Sequence, residues 1–386
     1  MFGDRLKFKR DLRVDFLRGL ALLTIFIDHV PENRWAAVTQ QNFGFSDAAE
    51  LFVVLAGFSA VLAYGRYFNG EDVSAGVRRV ASRIGTIYLF HVGTLLVVGI
   101  LLAFSARLLM TSAQIQAMKF ENLIAGDAGA FTATLLLIEQ PRYFDILPLY
   151  VVLLAAFPLL YALLRQSLML GIATSGALWF LVQLTHVNAL TVDGEGWHFN
   201  PFAWQFLMVL GMAAALRVRH GYLPRSPWLI GLAAAVLAVS FLLRAPWTGW
   251  PFHIGAAPVD LKPYGALMVK TNLGPMRLIH IIACGYLLLA LLPSRANWLK
   301  RPLPRLIADA GANSLEVFCL GVVLSVIGGT IIGALGRGPV VESWISTVGV
   351  AALLLVGLTI ARRVRAKKQA RSRIATTAPS GSALTA

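Results

Sequence analysis

The chain has 386 residues, 57% hydrophobic and only 14% charged, with a net charge of +15. So few charged side chains would not cover the surface of a soluble domain of this length. The basic residues lie between long apolar runs rather than on one face, which excludes a nucleic-acid partner. The two cysteines, Cys284 and Cys319, sit inside apolar runs, which argues against a disulfide framework or a metal site.

Residues 1–13 form a basic cytoplasmic arm. Stretches of about 20 mostly apolar residues match the hydrocarbon core of a bilayer. The apolar pattern predicts an all-α, polytopic transmembrane helix bundle of about ten spans. They are expected at 14–31, 48–64, 84–106, 143–164, 167–185, 201–216, 227–243, 275–293, 308–334 and 340–361. The first carries Arg18, Asp28 and His29 and lacks an Ala-x-Ala-like site after it, so it is not a signal peptide. Residues 131–142 are too short to span and read as an interfacial segment.

Lys and Arg number five in 1–13, four in 65–83, one at Arg165, three in 217–225, four in 294–305 and seven in 362–373. Those segments hold 24 of the 34 basic residues. They fall on one side of the expected bundle, which places both termini in the cytoplasm by the positive-inside rule. The membrane domain is expected over 14–361, followed by a tail over 362–386 that is basic and then disordered. No internal repeat and no pair of matching interrupted helices is visible.

Polar side chains inside spans are rare and mark function by default. Arg18 and His29 are eleven residues apart, three helical turns plus roughly 20°, so one face carries both about 16 Å apart. A fixed cation then stands at the cytoplasmic end and a titratable base at the other. A histidine base needs a partner to orient it, and Asp28, Asp47 and Glu50 are the candidates. Gly57 permits close helix approach, and Ser59 brings a hydroxyl into the bundle. Arg79 and Arg83 share a helix face at the cytoplasmic side, spaced to clamp phosphates or to anchor the span.

Arg18 and His29, separated by ten residues, resemble the first-span signature of the membrane acyltransferase-3 superfamily. The second span, Leu51 to Phe58, and the third-span entry with Arg79, Arg83 and Tyr88 also resemble it. The stretches Arg10–Phe16, Asn42–Glu50, Phe144–Tyr150 and Asn313–Gly321 are more closely similar to the C-type osmoregulated periplasmic glucan succinyltransferase (OpgC) family. Ala56 stands where the superfamily usually has serine. Cys319 stands where many superfamily members carry histidine, a departure shared with the glucan family.

The resemblance implies an acyltransferase (EC 2.3.1) of the bacterial inner membrane. It would move an acyl group, succinyl by the family's name, from cytoplasmic acyl-CoA to a hydroxyl of a periplasmic glucan or oligosaccharide. His29 would be the general base, and Arg18, Arg79 and Arg83 would hold the CoA phosphates. Ser59, Tyr150 and Asn313 are oxyanion candidates. His91, His280, Ser314 and Glu316 are tunnel candidates within spans. Asp193, Glu195, Trp197, His198, Trp247 and Trp250 are acceptor candidates in outer loops, because sugars stack on aromatic rings and give hydroxyls to carboxylates. The lipid bilayer, acyl-CoA and the glucan are the expected partners, with no permanently bound cofactor and no metal. The competing readings are a heparan-type amino-sugar acetyltransferase relative and a polar-solute transporter.

Overall fold

The computed structural model describes residues 11–70, 72–109, 112–219, 225–293 and 296–377. Residues 1–10 of the expected arm and 378–386 of the expected tail lie outside them. Among the described residues the chain is helical, with no strand. Three helices form its first third: α1 (Leu12–His29), α2 (Ala48–Tyr64) and α3 (Val73–Leu109). Short helices α4 (Ala113–Ala117), α5 (Glu121–Ile124) and α6 (Ala128–Leu135) follow. Next come α7 (Ile146–Gln166), α8 (Leu168–Thr185), α9 (Pro201–Arg219), α10 (Pro227–Arg244) and α11 (Pro275–Leu291). Last are α12 (Pro302–Ala312), α13 (Ser314–Leu335) and α14 (Pro339–Thr377).

Every one of the ten expected stretches is helical for most of its length, yet among the described residues seven helices are long and apolar enough to cross a membrane. These are α3, α7, α8, α9, α10, α13 and α14. Helices α2 and α11 are apolar but shorter, and α1 is interrupted by charged residues. Large side chains such as Leu89, Ile100, Phe104 and Leu184 stand exposed on the spans, as helix faces turned to lipid require.

Four expected boundaries move, two of them because α3 begins at Val73 rather than 84 and α14 continues through the expected tail to Thr377 rather than ending at 361. The ninth stretch breaks at Asn313, where the backbone leaves helical geometry between α12 and α13. The fourth begins at Ile146 rather than 143, because Tyr143 holds a left-handed φ of 74°, which a right-handed helix cannot contain. Tyr143, Phe144 and Asp145 therefore form a loop at the mouth of α7.

The central helices meet in two close pairs. A Cβ on Gly57 of α2 would stand 2.1 Å from the Met208 carbonyl oxygen of α9, and one on Gly211 of α9 would stand 2.0 Å from the Val54 carbonyl oxygen. Helices α1 and α12 show the same reciprocity, with Gly19 against Ile307 and Gly311 against Asp15. Small residues let the backbones touch where lipid offers no hydrophobic drive for association. Asp309 of α12 takes two 2.9 Å hydrogen bonds from Arg365, which ties α14 to the same pair.

Candidate active site

The capping box of Asp47 and Glu50 starts α2 and builds one wall of the site. The Asp47 carboxylate accepts from the Ala49 amide at 2.8 Å, and Glu50 accepts from the Asp47 amide at 2.9 Å. Both carboxylates also meet cations from distant sequence. Lys270 lies 2.7 Å from Asp47, and Arg277 of α11 lies 2.9 Å from Asp47 and 2.5 Å from Glu50. Glu50 is 0% exposed, so this pairing is what permits its burial. Burial alone would raise the Asp47 pKa, but Lys270 and Arg277 hold it below the ordinary carboxylate range. Burial likewise works to lower the Lys270 pKa, and Asp47 and Glu50 reverse this and raise it.

His29 closes α1 and lines a cavity of about 630 Å³. Its ring stacks on Tyr143 with centroids 4.1 Å apart and planes 24° from parallel. Its Nδ1 is buried and has no hydrogen-bond partner among the described residues. Asp28, Gln41, Asp47, Gln140, Arg142 and Asp145 line the same cavity, as do Lys119, His198 and Lys270. The charged groups whose field reaches His29 are Lys270, Asp47 and Arg142.

None of the three expected carboxylates orients His29 by a hydrogen bond. Asp28 accepts from Thr39 at 2.6 Å and from Gln41 at 3.0 Å, while Asp47 and Glu50 are committed to Lys270 and Arg277. What fixes the imidazole is Tyr143, a residue held in a strained backbone region that costs of order 1–3 kcal/mol. Tyr143, Arg142, Asp145, Lys270 and Arg277 were not singled out from the sequence. A usable signal for the cations was that they break the positive-inside pattern.

At the other end of α1, Arg18 donates to the Leu55 carbonyl at 3.4 Å and lies over the Phe52 ring. Tyr64 stands within electrostatic reach of Tyr150, Arg83 and Arg18, which draws three expected donor or tunnel residues together. Arg79, one turn before Arg83 on α3, lies 4.8 Å above the Tyr67 ring, where Arg66 also stacks.

The other candidates scatter. Asn313 donates to the carbonyls of Asp309, at 2.8 Å, and Gly357, at 3.3 Å, and so closes the helix break instead of facing the cavity. Ser59, His91, Ser314 and Glu316 do not line it either. His91 packs edge-on against Phe144, and His280 is bonded to Ser46 at 2.6 Å. Among the acceptor candidates, only His198 lines the cavity. Trp197 is buried, Asp193 binds Thr191 in its own loop, and Glu195 is exposed beside it. Trp247 stacks on Phe252, and Trp250 meets Trp35 edge-on. No cluster of metal-ligating side chains occurs among the described residues.

A multi-pass helical membrane protein with a polar, histidine-bearing cavity is thus defined. The chain belongs to the OpgC protein family, whose profile matches residues 10–365. Membership supports an acyltransferase-like activity. Neither the comparison with curated proteins nor that with solved structures returned a match.

Proposed function

We propose that the protein transfers an acyl group, succinyl by its family, from cytoplasmic acyl-CoA to a hydroxyl of a periplasmic glucan. The observation that carries this reading is His29 at the wall of a large polar cavity, with its Nδ1 buried. Nε2 takes the proton of a sugar hydroxyl as its oxygen attacks the thioester carbonyl. The new C–O bond forms, the C–S bond breaks, and the proton passes from His29 to the departing CoA thiolate. Lys270, held by Asp47 at the cavity wall, is assigned to the oxyanion. Asp28, Gln41, Gln140 and Asp145 supply the hydrogen-bonding groups that sugar hydroxyls require.

The donor would enter from the end bearing Arg18 and Arg83, with Arg79 at the helix entrance, their guanidinium groups suited to CoA phosphates. Replacing His29 with Ala is expected to lower transfer by roughly 10²- to 10⁴-fold without loss of folded protein. Mass spectrometry of periplasmic glucans, with and without the variant, checks this. Near-normal acylation by His29→Ala would sink the assignment.

A further inference from the structure

Most charged groups of the cavity have a partner. Asp47 holds Lys270, Asp28 is bonded to Thr39 and Gln41, and Lys119 is 3.8 Å from Asp193. Arg142 differs: it lines the cavity, is exposed, and forms no ion pair with any described residue. Its guanidinium lies over the Tyr143 ring at 5.5 Å from the centroid. The same ring stacks on His29 at 4.1 Å. One aromatic side chain thus connects a fixed, unneutralised cation to the base.

That arrangement has a length scale. A base–hydroxyl hydrogen bond of about 2.8 Å puts the attacked carbonyl carbon roughly 5 Å from His29. An acyl chain of four carbons ending in a carboxylate reaches about 5 Å further, by ordinary bond lengths. The two centroid separations of 4.1 and 5.5 Å bound the His29–Arg142 distance from above, and that bound matches the reach of the acyl chain. A guanidinium binds a carboxylate through two parallel N–H donors, which an acetyl group cannot engage.

The geometry points to Arg142 as the residue that selects an acyl group bearing a free terminal carboxylate. The inference rests on the acyl-transfer reading above and adds to it the residue that sets donor specificity. Arg142 acts on the far end of the acyl group, while His29 acts on the hydroxyl, so the two functions separate on substitution.

The test uses the full-length protein in lipid nanodiscs with a glucan oligosaccharide and either succinyl-CoA or acetyl-CoA. Arg142→Gln is expected to lower kcat/KM for succinyl-CoA by roughly 10- to 100-fold, the worth of a charged hydrogen-bonded pair. Transfer from acetyl-CoA, which shares the field of Arg142 on His29 but not the carboxylate contact, should fall by a clearly smaller factor, and Arg142→Lys should recover part of the succinyl rate. An equal fall with both donors, or no change with either, overturns the role of Arg142 while leaving acyl transfer intact. Wild-type protein that transfers from neither donor would instead remove the acyl-transfer reading, and this inference with it.

Discussion

The two ends of α1 solve the problem of charge in a membrane differently. At the His29 end, Asp47, Glu50, Lys270 and Arg277 pair with one another at 2.5 to 2.9 Å. Their positions are fixed before any ligand arrives. At the Arg18 end, Arg18 and Arg79 rest on aromatic rings, with a backbone carbonyl also accepting from Arg18. The ring contact of Arg79 is weaker than an ion pair, so an arriving phosphate can take that cation over. The contrast suits a preformed acceptor site facing an adaptable donor entrance.

The comparison breaks most visibly at Arg277. Replacing it with Met strands Glu50 in a fully buried position, and destabilisation of about 3–5 kcal/mol is expected. Thermal unfolding of the purified protein, followed by tryptophan fluorescence, checks it. Adding Glu50→Gln to Arg277→Met should restore part of the loss. A melting temperature equal to wild type would show that the His29 end is not preorganised by this network.

A smaller effect comes from pH. The folded-state pKa of Asp47 is depressed, so its contribution is present above its unfolded value near 4 and is lost as pH falls below it. Lys270 is shifted upward, so its contribution is present below about 10.4 and is lost as pH rises through its folded value. Stability should form a plateau between these limits. Asp47→Asn should flatten the acid limb, a change readable in melting temperatures across a pH series.

The smallest effect belongs to the donor entrance. Arg83→Ala should raise KM for acyl-CoA roughly tenfold, the worth of one contact to a phosphate, with the acceptor KM unchanged. Steady-state kinetics with each substrate varied in turn would show it. An unchanged donor KM would remove Arg83 from the entrance.

Much of the scaffold was legible because it is written in local pattern. Apolar runs placed the helices, and Gly57 announced a close contact that Gly211 completes. Arg18 and His29 stood out because polar residues within spans are costly. The partners of His29 were not legible. By position Asp47 and Glu50 are candidates to serve the nearby histidine, yet their cations come from 220 or more residues away, from a loop and a short helix. Tyr143 was hidden for another reason. It lies in what reads as the start of an apolar span, and only the folded backbone reveals that it sits outside the helix.

The left-handed conformation of Tyr143 sets stability against activity. Glycine adopts a φ of 74° without the penalty that a bulky side chain meets, so Tyr143→Gly should relax the loop. The same change removes the ring that steadies His29 and packs on the core, so turnover should fall while relief of the backbone offsets part of the packing lost. A screen for heat resistance would therefore tolerate the substitution more readily than selection for glucan acylation.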